Sequence, residues 1–151
     1  MSTQPPAWAG IYVGIPYRDH GADRSGCDCW GLVRLVYAQR ANLILPAYAN
    51  DYSDESDGNG IGRCVDVARA SNVWRRVDGT PQAFDVAEML SVLRSRSGWS
   101  YPPLHVGVVV APGWLLHTEA VAGSRLVNLA DRALGKRIAG FWRHRRLDAG
   151  D

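Results

Sequence analysis

Residues 26–33 read GCDCWGLV, and the fold turns on this octet. Asp28 is a strong helix N-cap type, because its short carboxylate can accept the unpaired N–H groups of a first helical turn. Behind it Leu32, Val33, Val36 and Tyr37 recur at helical spacing, with Leu35 and Ala38 widening the apolar stripe. The pattern predicts an amphipathic helix from about Cys29 to Arg40, stopped near Asn42. A helix that begins at Cys29 sets its thiol at the positive end of the helix, where the thiolate is favoured and the thiol pKa is expected to fall. Gly26 and Gly31 flank the thiol, and are expected to allow a tight entry into the helix and to leave open space one turn on. The plain alternative for Cys29 is a buried structural cysteine.

Working outward, Pro5 and Pro6 precede a short helix over Ala7 to Gly14 that carries Trp8, Ile11 and Tyr12. Residues 18–26 are polar and glycine-rich and read as a loop. Pro46 to Gly60 holds Asp51, Asp54, Glu55 and Asp57 and reads as a solvated loop; its spacing is not that of a calcium-binding loop. A second helix is expected over Ile61 to Ser71, with Val65, Ala68 and Val67 inward. The rest is β-rich. Trp74 and Val77 flank basic residues, Phe84 to Leu93 is read as a strand although its periodicity is mixed, and Leu104 to Ala111 is a valine-rich strand. Pro112 and Gly113 mark a turn, Trp114 to Glu119 returns, and Ser124 to Leu129 and Ile138 to Arg145 complete the set. Helices first and an antiparallel sheet after give an α+β fold.

Composition agrees with one domain over residues 1–151. Apolar residues are 46% and charged residues 21%, which excludes general disorder. Seventeen basic against fifteen acidic residues leave a net charge of +2, too little for a dedicated nucleic-acid binder. Three cysteines are too few for a disulfide framework. No stretch approaches the roughly 18 apolar residues of a membrane span. The start lacks a basic segment followed by an apolar run, so no secretory signal is read there, and action outside the cytoplasm requires another route.

A reactive thiol needs a base. His105 and His117 lie twelve residues apart on two strands of one hairpin. A three-residue loop over Ala111 to Gly113 sets Gly107 opposite His117 and His105 opposite Glu119, which puts both imidazoles on one face. A two-residue turn at Pro112 and Gly113 puts them on opposite faces. Packed against the start of the helix, the shared face would offer His105 to the Cys29 thiol and let His117 fix its tautomer. A zinc site drawn from Cys27, Cys29, Cys64, His20, His105 and His117 is the rival reading, but the usual cysteine knuckle is missing. Cys27 and Cys64 read as small apolar fillers, and His144, among Arg143, Arg145 and Arg146, as a surface residue. The basic groups Arg75 and Arg76, Lys136 and Arg137, and Arg143 to Arg146 read as solvated faces, and no nucleic-acid module or phosphate-binding loop is present.

Gly14 to Gly21 (GIPYRDHG) followed by GCDCWGLV, with HVG at residues 105–107, resembles the NlpC family of bacterial cell-wall cysteine peptidases, and within it the phage-associated and gene-transfer-agent branch. LPAYANDY at residues 45–52 is similar to a segment of phage-type members. The resemblance spans residues 8–146. It departs at Trp30, where a small residue is usual, at Arg18 to His20, which precede Gly21 where a glycine pair is usual, and at Gln82 to Val86, where Pro-Gly-Asp is usual. It implies a papain-like fold, a Cys29–His105–His117 triad, and Tyr17 as an aid to the oxyanion. It also implies cleavage of peptidoglycan stem peptides at the γ-D-glutamyl–diaminopimelate bond, with no metal or organic cofactor. Incorporation with partner proteins into a phage tail or gene-transfer particle, acting in the periplasm or cell wall, goes with that branch. The alternatives are an N-acetylmuramoyl-alanine amidase with the same site, or a non-enzymatic tail or particle assembly protein.

Overall fold

The computed structural model describes residues 4–48, 65–91, 93–100 and 104–148. The chain opens with a 3₁₀ turn over Ala7–Tyr12. The polar stretch that reads as a loop is closed by a miniature hairpin of β1 (Ala22–Asp23) and β2 (Gly26–Cys27), and Tyr17 bridges Cys27 alongside it. Helix α1 (Cys29–Val36) then begins at the expected residue. Past Val36 it widens into a π turn over Tyr37–Ala41, and Asn42, in the left-handed region at φ 54°, stops it.

A helix, α2, covers residues 65–70; the expected residues 61–64, the acidic stretch Asp51 to Asp57 and Cys64 lie outside the described residues. Val65 and Ala68 are partly buried, but Val67 is exposed rather than inward. The strands follow as β3 (Trp74–Arg76), β4 (Val86–Met89), β5 (Leu93–Ser95), β6 (Gly98–Ser100), β7 (His105–Ala111), β8 (Trp114–Glu119), β9 (Gly123–Asn128) and β10 (Ile138–His144). Short helices α3 (Arg132–Gly135) and α4 (Arg145–Asp148) flank β10. Six strands form one antiparallel sheet in the order β3-β10-β4-β7-β8-β9, and β5 pairs with β6 as a separate hairpin. Only Val86 to Met89 of the stretch Phe84 to Leu93 joins this sheet. All four residues are buried, since β4 is central and covered on both faces, and this erases the alternation that a half-exposed strand would show.

Alternation along the strands divides the interior in two. One face carries Val86, Val108, Val110 and Leu116, against which α1 lays Leu32, Val33, Leu35 and Val36. The other carries Ala87, Met89, Val109 and Leu115, capped by Leu134 of α3. Each fully buried aliphatic side chain removes enough apolar surface to contribute about 1.5–3 kcal/mol before chain entropy is counted.

Two surface readings are corrected by this packing. His144 is buried, its ring 5.0 Å from that of Trp74 and 6.3 Å from that of Tyr37. It ends a strand that points it into the core, which a run of arginines on either side conceals. Several of the basic residues are also internal partners rather than a free face. Arg143 binds the fully buried Asp85 through two hydrogen bonds of 2.7 Å, and Arg75 pairs with Asp148.

Candidate active site

The site is assembled from a helix corner and a strand end. At the corner, Asp28 accepts a hydrogen bond from the Gly31 N–H at 2.6 Å through one oxygen and from the His20 N–H at 3.0 Å through the other. One carboxylate thereby fixes both the first turn of α1 and the loop that leads to it. Gly31 does not leave open space. A Cβ there would stand 1.6 Å from the Gly21 carbonyl oxygen, so the absence of a side chain lets the loop backbone lie directly on the helix. Trp30 turns outward and donates from Nε1 to the Pro46 carbonyl at 2.7 Å, with its ring 5.9 Å from that of Tyr48.

At the strand end, the β7–β8 hairpin settles the question left by its loop. Ala111 pairs with Trp114 across the two-residue turn, which alone would send the histidines to opposite faces. A β-bulge between Val109 and Ala111 shifts the register by one residue, so that Val109 meets Leu115 and Val108 meets Leu116. Continued to the strand end, that register sets Gly107 against His117. A Cβ at 107 would lie 3.0 Å from the His117 Cβ, so glycine here gives the imidazole its room. His105 Nε2 then stands 3.1 Å from His117 Nδ1, with the rings crossed at 81°.

His105 and Cys29 are brought to one cavity by a different arrangement from simple packing of one face on the helix. By alternation His105, Gly107 and His117 belong to the face opposite the one that α1 covers. His105, the first residue of β7, lines the cavity that Cys29 also lines, whereas His117 is buried behind it. Cys29, Tyr17, Asp28, His105 and Glu119 line one cavity of about 590 Å³. The Val106 backbone N–H, next in sequence to His105, acts on the Cys29 sulfur.

The electrostatics correct another expectation. Burial, and then the Asp28 carboxylate, push the Cys29 thiol up to about 12, against the lowering effect of the Val106, Trp30 and Cys29 N–H groups. The N–H groups of the helix start do favour the thiolate, but burial and the Asp28 charge outweigh them, so the expected fall in the thiol pKa is not found. Burial, then His117 and Arg137, hold His105 down to about 3, with Glu119 pulling the other way. His117 is also lowered, chiefly by burial. Both shifts run towards the uncharged forms, a thiol and a neutral imidazole. Cys27 takes no part: it is buried, donates from Sγ to the Asp23 carbonyl at 3.1 Å, and is pushed up to about 12 by burial.

Glu119 and Arg137 are the residues to which sequence reasoning gave no role in the site. Glu119 Oε1 lies 3.9 Å from His117 Nδ1 and 2.6 Å from an Arg137 guanidinium nitrogen. Burial raises the Glu119 carboxyl, but the Arg137 ion pair outweighs it and holds it below the usual range. The signal was present, because Glu119 follows His117 by two residues and so shares its strand face. Among the described residues, the one group of three side chains that could hold a metal is His105, His117 and Glu119; of the rival zinc reading it includes the two histidines but neither Cys27 nor Cys29.

A thiol at a helix start and a paired imidazole at the head of a sheet strand, open to one cavity, define a papain-like α+β domain. The model of the NlpC/P60 family matches residues 14–143, and the chain belongs to that family. Among solved structures it is similar to an NlpC/P60 family protein from Bacillus cereus ATCC 10987, at 19% identity over 93% of this chain and 41% of that one, with a TM-score of 0.55. It is likewise similar to a lipoprotein-like NLP/P60 protein from Staphylococcus aureus subsp. aureus Mu50, at 19% identity over 95% of this chain and 45% of that one, with a TM-score of 0.53. The NlpC/p60 domain of peptidoglycan hydrolase SagA matches at 21% identity over 82% of this chain and 85% of that one, with a TM-score of 0.49. The chain spans under half the length of the two staphylococcal and Bacillus structures. No curated protein matches the sequence.

Proposed function

We propose that the chain is a cysteine peptidase acting on peptidoglycan stem peptides, with Cys29 as nucleophile, His105 as base and His117 as its orienting partner. One observation carries this reading: His105, 3.1 Å from the buried His117, lines the same cavity as Cys29 at the start of α1, in a chain of the NlpC/P60 family. The His105–His117 contact uses Nε2 of His105, which leaves Nδ1 for the thiol proton. With both groups shifted towards their neutral forms, that proton moves to His105 as sulfur attacks the carbonyl carbon.

The Cys29 N–H at the helix start, with the Tyr17 hydroxyl, meets the oxyanion. His105 then passes its proton to the leaving amine, the C–N bond breaks, and a thioester remains. Water, deprotonated by His105, releases the acid and restores the thiol. This chemistry needs no metal or organic cofactor. The bond proposed is γ-D-glutamyl–diaminopimelate. The phage or gene-transfer-particle setting, with particle proteins as partners and the periplasm or cell wall as place of action, is supported by the sequence resemblance to that branch.

Mass spectrometry of defined muropeptides after incubation with wild type and Cys29→Ala tests the proposal. Dipeptide and diaminopimelate-headed products from the wild type alone are expected. Products split between muramic acid and alanine would make it an amidase. Intact substrate with both proteins would favour an assembly role.

A further inference from the structure

We propose that His105, His117 and Glu119 form a zinc site that switches the base off, a reading that rests on the role given to His105 above. The three donor atoms lie within 4.8 Å of one another. His105 Nε2 and His117 Nδ1 are 3.1 Å apart, and His117 Nδ1 and Glu119 Oε1 are 3.9 Å apart. Zinc bonds of about 2.0–2.1 Å in tetrahedral array require donor edges of roughly 3.3 Å. The imidazole pair is already near that spacing, and Glu119 is within a side-chain adjustment of it.

Donor chemistry selects the ion. Two imidazole nitrogens and one carboxylate suit zinc, whereas magnesium and calcium prefer oxygen throughout. Three protein ligands also leave a fourth position open to the cavity, which His105 and Glu119 both line. Rigidity favours the site as well, since His117 is buried against Gly107 in a paired strand and is not free to swing away. Arg137 opposes it. Its guanidinium holds the same Glu119 oxygen at 2.6 Å and must share or release it when the cation enters. That competition makes the site one that fills and empties with the zinc supply.

The consequence for the base follows from counting protons. In the competent pair each neutral ring carries one proton. His105 bears its own on Nε2, shared with His117 Nδ1, and keeps the Nδ1 lone pair for the thiol. Zinc takes the lone pairs of both facing nitrogens. The shared proton then moves to His105 Nδ1, with none released. The nitrogen that received the thiol proton has become a donor, and attack by Cys29 loses its base.

The test reads metal binding without substrate. Full-length Cys29→Ala protein is titrated with Co²⁺, the visible d–d bands are followed, and Zn²⁺ is used to displace it. Intense bands and stoichiometric displacement are expected, with affinity at least about tenfold weaker in Glu119→Gln and in His117→Ala. Glu119 is half-exposed, so its variant serves even where His117→Ala unfolds. Arg137→Gln is expected to bind more tightly. Absence of bands in Cys29→Ala, or unchanged affinity in Glu119→Gln, overturns the site. In the wild type, Zn²⁺ is expected to stop muropeptide cleavage and a chelator to restore it. Zinc bound at these residues with cleavage unaffected overturns the switch. A protein that binds zinc here but never cleaves muropeptides refutes the peptidase reading and leaves the metal site standing.

Discussion

His105 Nε2 lies 3.1 Å from His117 Nδ1, and a one-residue bulge in the β7–β8 hairpin is what puts the two rings on one face. The contact fixes which nitrogen of His105 faces its partner and which remains for chemistry. In that arrangement His117 Nε2 and Thr118 Oγ1 are buried without a partner among the described residues. On the Nδ1 side of His117, Glu119 and its Arg137 partner extend the polar contacts beyond the two rings.

The roles assigned to the three residues predict an order of losses. Cys29→Ala should abolish muropeptide cleavage and leave the circular dichroism spectrum unchanged. His105→Ala should lower kcat by about 10²–10⁴, the range for a lost general base. His117→Ala should cost less, about a hundredfold, because it misplaces the base without removing it. Steady-state kinetics on one defined muropeptide ranks them, and a His117 loss larger than the His105 loss would reverse the roles.

Asp28 raises the Cys29 thiol pKa second only to burial, so its charge should be readable in thiol reactivity. Asp28→Asn keeps an oxygen for the Gly31 N–H, gives up the acceptor for the His20 N–H and removes the negative charge. The Cys29 pKa should fall, and alkylation of Cys29 at pH 8, followed by peptide mass spectrometry, should quicken relative to wild type. An unchanged or slower rate would mean that the Asp28 charge does not govern the thiol.

Acid should destabilise the fold through its histidines. His105 falls from an ordinary 6.5 to about 3 in the folded protein, mainly by burial, and His117 is lowered in the same direction. In the window between those values the unfolded chain binds more protons than the folded one. The stability is thus fully present above about pH 6.5 and lost progressively as pH falls towards 3. Urea midpoints measured from pH 7 to pH 4 should drop for wild type and drop less for His105→Gln. Parallel curves would assign the acid sensitivity elsewhere.

Arg143 is the partner that makes a buried Asp85 tolerable. Arg143→Ala leaves that carboxylate without its guanidinium in a site with no solvent exposure. Loss of one partner of a buried pair costs about 3–5 kcal/mol. Thermal melts should show a large drop in Tm for Arg143→Ala, and a smaller one for the double replacement Arg143→Met with Asp85→Leu, which removes both charges.

The sequence by itself determined the elements that depend on near neighbours. Asp28 capping Cys29–Val36, the Asn42 stop and the valine-rich strand from His105 are local matters of hydrogen-bond supply and side-chain period. It also singled out Cys29, His105 and His117. Tertiary structure alone decided the rest. The face that His105 presents depended on a bulge at Val110, which costs too little locally to leave a mark in residue type. Gly31 was legible as a glycine but not as the seat of the Gly21 carbonyl. The burial of His144 and Asp85 needed the strand order of a six-stranded sheet. The thiol pKa went opposite to the helix-terminus expectation, because desolvation and the Asp28 charge depend on what encloses the sulfur, and a linear sequence holds no record of enclosure.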